Sequence, residues 1–202
     1  MPSQQAQPGE LLRRANDAPA GSTERKLLVA AAFGEAALAD AVLVGGTAVE
    51  LHTGSYRPTD IDLVGHTREG YAARLDDLEF VREGRHWLIA LTNGETLAVE
   101  VPGDRLGDFA VEPPRTIELS PGRIDVISLN DLMMDRLLQA TGGEPVTMDE
   151  AVRLAVAAYE RIDWDGLAAR AASAGQEATL AGAALPSILT AVRRTALKHL
   201  RR

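Results

Sequence analysis

The hydrophobic pattern along the chain changes period once. Between Ser22 and about Ala39, the residues Leu27, Leu28, Ala31, Phe33 and Leu38 fall on roughly one side of a helical repeat. Two short apolar runs follow: Ala41–Val44 stops at Gly45–Gly46, and Asp60–Val64 closes on Gly65, so both read as buried strands. Thr47–His52 reads as a short helix between them, and residues 68–78 as another. After a short run at Phe80–Val81, the segments His86–Thr92 and Glu95–Val101 flank Asn93–Gly94, a pair that accepts the positive φ of a tight turn and so predicts a β-hairpin. Residues 116–119 and 123–127 form a second such pair around Ser120–Pro121–Gly122. From Ser128 onward the period is helical throughout, with helices expected near 129–141, 148–160, 163–174 and 177–200 and an early break at Pro186. Ser128-x-x-Asp131 and Thr147-x-x-Glu150 have the form of helix capping boxes.

This pattern predicts a flexible lead-in over residues 1–21, where Pro2, Pro8, Gly9, Pro19 and Gly21 interrupt a polar segment. An α/β (α+β) catalytic domain with a small mixed sheet follows over 22–127, and a C-terminal helical bundle over 128–202. Composition removes several function classes. The 202 residues include no cysteine, which excludes disulfide scaffolds, thiolate zinc sites and thiol nucleophiles. No apolar run approaches the roughly 20 residues of a membrane span, and no export signal is evident, so a cytoplasmic protein without membrane partners is expected.

Charge changes the picture next. Lys+Arg is 21 and Asp+Glu 29, a net −8, which disfavours nonspecific contact with nucleic acid. The charge is uneven, however. Residues 186–202 hold five bases (Arg193, Arg194, Lys198, Arg201, Arg202) and no acid, leaving 16 bases and 29 acids before them, a net −13. That tail either complements a helix dipole or captures an anionic partner.

The chemistry concentrates in residues 42–64. A strand delivering Gly45 and Gly46 to a helix start exposes unpaired N–H groups to an anion, with the Thr47 hydroxyl beside them. Arg57 offers a planar fork for phosphate. Asp60 and Asp62, two apart on a strand, share one face while Ile61 and Leu63 face the core. Paired carboxylates suit Mg²⁺, which binds one or two of them together with substrate phosphates. Glu100 alternates with Leu97, Val99 and Val101 and is the candidate third carboxylate, ahead of Glu112, Glu118 and Asp125. His52, His66, His86 and His199 show no mutual ligand spacing and are set aside as metal ligands.

Gly45-Gly46-Thr47, then Asp60-Ile61-Asp62 thirteen residues beyond Thr47, then an acid on a later strand, resembles the polymerase-beta-like nucleotidyltransferase superfamily. The string from Gly45 to Leu63 looks most like small bacterial abortive-infection toxin-type nucleotidyltransferases. That resemblance implies Asp60 and Asp62 as ligands of two Mg²⁺ ions, with Glu100 as a ligand of one of them and a base for the attacking hydroxyl. It implies Gly45, Gly46, Thr47 and Arg57 as the nucleotide-binding residues for a nucleoside triphosphate co-substrate. The first helix after Ser128 carries Arg136 where such relatives often present Lys. The implied reaction moves a nucleoside monophosphate to an acceptor with release of pyrophosphate. The expected acceptor is RNA, foremost tRNA, or a protein, in a toxin–antitoxin or phage-defence setting with an antitoxin protein as partner. The alternatives are an antibiotic nucleotidyltransferase acting on an aminoglycoside- or lincosamide-like small molecule, and a non-catalytic nucleotide- or partner-binding module.

Overall fold

The computed structural model describes residues 7–54, 57–142, 145–175 and 180–201. Its contacts divide the chain into two units: Met1–Leu51, Ser55–Asp108 and Pro113–Ile127 in the first, and His52–Gly54, Phe109–Glu112 and Ser128–Arg202 in the second.

The first unit is a seven-stranded mixed sheet with helices. Its strands are β1 (Val42–Val44), β2 (Asp60–Val64), β3 (Val81–Glu83), β4 (His86–Ala90), β5 (Thr96–Gly103), β6 (Arg115–Glu118) and β7 (Arg123–Val126), in the order β3-β4-β5-β2-β1-β7-β6. β2 runs antiparallel to β1 and parallel to β5, so the centre of the sheet mixes both pairings. The hairpin predicted around Asn93–Gly94 joins β4 to β5, with Gly94 at φ +82°. The odd positions Ile61, Leu63, Leu97 and Val99 are buried, as are Trp87 and Ile89 on β4. They pack with helix α2 (Thr23–Ala37), whose Phe33 ring meets Phe80 edge-on at 5.4 Å and Trp87 at 6.4 Å. Such edge-to-face contacts favour the aromatic quadrupoles over a flat stack. Helix α4 (Tyr71–Asp77) also packs on α2. Arg74 and Arg68 donate to the Ala36 and Leu38 carbonyls, at 2.7 and 2.6 Å, and so satisfy acceptors that the end of α2 leaves open.

The segment read as a flexible lead-in contains a helix, α1 (Pro8–Asp17). Pro8 opens it at a position where a missing N–H costs nothing, and Leu11, Leu12 and Ala15 follow at helical spacing and are buried. Its contact is with α2, which is why twelve of the fifteen α2 residues are buried and α2 reads as apolar almost all round. Residues 1–6 of that lead-in lie outside the described residues.

The second unit contains α5 (Leu129–Ala140), α6 (Pro145–Ala158), α7 (Trp164–Gly175) and α8 (Leu180–Leu200), with Pro186 inside α8. The Ser128 side chain caps α5 by accepting from the Asp131 N–H. Asp131 does not reach back to complete a capping box. Its carboxylate is fully buried and accepts from the Val111 and Glu112 N–H groups and from Arg170 at 2.6 Å. That cluster is what ties Phe109–Glu112 to the helices rather than to the sheet. Thr147-x-x-Glu150 is not a helix start either, since α6 begins at Pro145 and the Glu150 carboxylate is buried 2.8 Å from Arg136.

Candidate active site

The site grows from the turn between β1 and helix α3 (Gly45–Thr53). Gly45 has φ +62°, a left-handed conformation that side chains with a Cβ rarely adopt. A Cβ placed there would lie 1.9 Å from Asp62 Oδ2. Two independent constraints therefore require glycine at this position: backbone conformation and the close approach of the Asp62 carboxylate. The Gly45 turn and the Asp62 carboxylate are thus in direct contact.

Thr47 is fully buried, and its hydroxyl donates to the Asp60 carbonyl at 2.9 Å. It pins the first residue of β2 to α3, and its side chain is committed to the backbone. Gly46 is likewise buried in the first turn of α3. Arg57 is exposed ahead of β2.

A second tie comes from side chains the sequence reading passed over. Lys26 of α2 and Glu50 of α3 form a buried ion pair at 2.6 Å, with relative side-chain exposures of 5% and 6%. Lys26 also donates to the Pro58 carbonyl at 3.1 Å, and the Thr23 hydroxyl donates to the other Glu50 oxygen at 3.0 Å. One ammonium thereby links α2, α3 and the segment leading into Asp60. The signal available in sequence was weak, a Lys beside Glu24 and Arg25 at the start of α2 and a Glu between Val49 and Leu51 in α3, residue types that are almost never buried unless paired.

Strand period and register then assemble the acids. Asp60 and Asp62 alternate with the fully buried Ile61 and Leu63, and Glu100 alternates with the buried Val99. In the parallel pairing of β2 and β5, Asp62 stands beside Glu100 and Asp60 beside Ala98. In the antiparallel pairing of β5 and β4, Glu100 stands beside His86 and Ala98 beside Leu88. One face of three adjacent strands thus carries Asp60, Asp62, Glu100 and His86. Asp60, His86 and Glu100 each offer a ligand atom, all within 4.8 Å of one another. His86 Nε2 lies 3.4 Å from Glu100 Oε2, and the exposed Arg85 Nε lies at the same distance from that oxygen.

His86, set aside on chain spacing, stands with Asp60 and Glu100 in a group that could hold a metal ion. Pairwise spacing in the chain says nothing about a residue that meets its partners across a sheet. His66 is engaged elsewhere: its Nδ1 is 2.9 Å from Asp40 Oδ2, and Asp40 also accepts from the His66 N–H. The hydrogen bond that Asp40 accepts from the His66 ring raises the His66 pKa above the ordinary imidazole value and lowers the Asp40 pKa below the ordinary carboxylate value. Of the rival acids, Asp125 on β7 accepts from the Thr116 hydroxyl at 2.6 Å, Glu118 lies on the terminal strand β6, and Glu112 accepts from Asn130 at 2.8 Å. Arg136 is buried between Asp135 and Glu150, at 2.6 and 2.8 Å, and is not a free phosphate ligand.

In the helical unit, the basic tail lines a cleft of about 420 Å³ with Arg193, Arg194, Lys198 and Arg201 around Trp164 and Leu189. Arg193 stacks over the Trp164 ring at 5.4 Å, a cation–π contact.

Comparison with known proteins is sparse. No protein-family model matches the chain, and no curated protein matches it. Among solved structures, the chain is similar to an antigenic nucleotidyltransferase-like protein from Paracoccidioides brasiliensis, with a TM-score of 0.44 and 14% identity. That match spans 57% of this chain and 66% of the other, just short of two thirds of its length. The antibiotic-resistance factor ANT(2'')-Ia matches over 95% of this chain and 94% of its own, with a TM-score of 0.36 and 18% identity. No helix among the described residues is long and apolar enough to cross a membrane.

Proposed function

We propose that this chain is a divalent-metal-dependent nucleotidyltransferase that moves a nucleoside monophosphate from a nucleoside triphosphate to a hydroxyl acceptor. The observation that carries this reading is the placement of Asp60, Asp62 and Glu100 on one face of adjacent strands, with Asp62 against the Gly45 turn that opens α3. The donor set suits a cation. Three carboxylates on one face repel one another, and Asp60 and Glu100 oxygens come within 4.8 Å, with His86 and the exposed Arg85 each 3.4 Å from Glu100. Asp60, Asp62 and Glu100 would hold Mg²⁺, two ions in the full reading. When bound, the metal supplies Lewis-acid neutralisation of charge on the phosphates.

The chain's own groups do the rest. The first-turn N–H groups of α3, at Gly45 and Gly46, orient the terminal phosphates, helped by the positive end of the helix dipole. Arg57, exposed ahead of β2, contributes a second cationic contact to the triphosphate. Glu100 accepts the proton of the attacking hydroxyl. The hydroxyl oxygen then forms a bond to the α-phosphorus while the α–β bridging bond breaks, and pyrophosphate leaves with the electron pair. Thr47 positions Asp60 through its carbonyl.

For the acceptor, the reading is RNA, with tRNA the first substrate to test. Support comes from the cationic cleft on α7 and α8. Arg194 and Lys198 lie one turn apart on α8, a rise of about 6 Å, and Arg201 follows the helix end, a cluster suited to a phosphate backbone. A cationic antibiotic acceptor is the second reading, favoured by the net −13 of residues 1–185.

The test incubates the chain with each labelled triphosphate, Mg²⁺, and either total tRNA or an aminoglycoside and lincosamide panel. Label in RNA supports the first reading, and label in a drug supports the second. In either case Asp62→Ala abolishes transfer with the far-UV circular dichroism unchanged, and full activity in that variant overturns the site assignment. In the toxin setting, induced wild-type chain arrests growth and Asp62→Ala does not. Absence of both transfer and triphosphate binding leaves only a partner-binding module.

A further inference from the structure

We infer that His86 is a ligand of the metal centre formed with Asp60 and Glu100, and that its nitrogen makes this centre select Mn²⁺ over Mg²⁺. The inference rests on the proposed metal-dependent reading of the same face. It adds a ligand and a metal preference that a set of carboxylates alone does not imply.

Three observations converge on it. Register places His86 directly beside Glu100 on the neighbouring strand, and Nε2 comes within 3.4 Å of Oε2. Asp60 reaches the same point diagonally, across Ala98, and one atom from each of the three groups lies within 4.8 Å of the others. Ala98, which faces Asp60 in the register, carries only a methyl group. His86 has a relative side-chain exposure of 32% and Glu100 of 15%, so the ligand set is open to an ion on one side and backed by protein on the other.

The ligand chemistry decides which ion benefits. Mg²⁺ is a hard cation that takes oxygen ligands and retains its waters, so it gains little from an imidazole nitrogen. Imidazole suits first-row transition ions, and carboxylates suit Mn²⁺ as well as Mg²⁺. A mixed set of two carboxylates and one imidazole therefore favours the ion that accepts both. If His86 were only a counter-ion to Glu100, it would repel an incoming cation, and its removal would tighten binding of both metals.

The experiment titrates Mn²⁺ into the full chain without triphosphate or acceptor, following free Mn²⁺ by electron paramagnetic resonance and then displacing it with Mg²⁺. His86→Ala and His86→Gln are compared with wild type, after circular dichroism has shown that each is folded. Expected is a loss of about tenfold or more in Mn²⁺ affinity, the scale of a lost metal-site interaction, with Mg²⁺ affinity changing by less than about threefold. Pulsed spectra of the Mn²⁺-loaded wild type show coupling to an imidazole nitrogen, and those of both variants lose it. An equal change for both metals, tighter binding in the variants, or a wild-type spectrum without nitrogen coupling overturns the inference. The outcomes also separate it from the catalytic reading. Nitrogen-coupled Mn²⁺ with no transfer to any acceptor removes the function and keeps the ligand, whereas Mg²⁺-driven transfer with no His86-dependent Mn²⁺ binding does the reverse.

Discussion

Replacing Lys26 by Met tests whether the buried ion pair behind the site holds the first unit together. The Lys26 ammonium has two acceptors, Glu50 Oε2 at 2.6 Å and the Pro58 carbonyl at 3.1 Å, and both charged side chains are nearly inaccessible. Methionine matches the aliphatic stem but leaves a buried carboxylate with the Thr23 hydroxyl as its remaining hydrogen-bond partner, and a carbonyl without its donor. Breaking one side of such a pair costs about 3–5 kcal/mol, because an uncompensated charge remains in a desolvated place. At about 2–4 °C per kcal/mol for a chain of this size, the midpoint of thermal unfolding falls by roughly 6–20 °C. Replacing both residues, Lys26→Met with Glu50→Leu, removes the stranded charge and recovers about 2 kcal/mol, leaving about 1–3 kcal/mol for the open Pro58 carbonyl. The assay is urea unfolding in a Trp164→Phe background, where Trp87 is the remaining tryptophan and reports on the sheet unit alone. A cost below about 1 kcal/mol for Lys26→Met, or costs that simply add in the double variant, refutes the reasoning, since coupled partners give non-additive energies.

Gly45→Ala forces a Cβ into left-handed backbone, at about 1–2 kcal/mol, and displaces the Asp62 carboxylate. Nucleotidyl transfer is expected to fall about 100-fold, the scale of an ångström-sized misplacement, and near-wild-type rates would separate Asp62 from the chemistry. Asp131→Ala takes the acceptor from the Val111 and Glu112 N–H groups and leaves Arg170 with the Phe109 carbonyl, so unfolding followed by Trp164 fluorescence should show a loss of about 2–4 kcal/mol; a loss under about 1 kcal/mol contradicts the described cluster. The His66–Asp40 contact stabilises only between two limits. His66 has a raised pKa, so its contribution is present below the ordinary imidazole value and lost as pH rises through the folded one. Asp40 has a lowered pKa, so its contribution is present above the ordinary carboxylate value and lost as pH falls through the folded one. An NMR titration of His66 should therefore show a lower midpoint in Asp40→Asn than in wild type, and equal midpoints would deny the contact.

Local chemistry was legible where one element decides the outcome. Period two alone places Asp60 and Asp62 on the face opposite Ile61 and Leu63, and the same alternation singles out Glu100 among Leu97, Val99 and Val101. Of the Asn93–Gly94 pair, Gly94 alone takes the positive φ that turns the hairpin, and Ser128 specifies its cap through one hydroxyl. What was illegible depends on how elements meet. His86 enters the site through the β4–β5 register, which no single-strand pattern contains. Helix α1 is short and flanked by proline and glycine, and its stability comes from packing Leu11 and Ala15 with α2, which is tertiary. Glu150 fitted a capping box by spacing, but burial beside Arg136 sets its role.

These cases share a cause that also explains how the site is built. A strand residue chooses a face by its own parity, but its neighbours on that face belong to other strands and follow from pairing. Parity gives the sheet one face of Ile61, Leu63, Leu97 and Val99 closed by α2, and a second face free to carry charge. Pairing then sets which charges meet: parallel β2–β5 brings Asp62 to Glu100, and antiparallel β4–β5 brings His86 to the other side of the same residue. Glu100 is central because β5 is the strand shared by both pairings. Thr47 and Lys26 act behind this face, one holding the Asp60 carbonyl and the other the Pro58 carbonyl, so the backbone leading into β2 is fixed by contacts that do not use the Asp60 carboxylate.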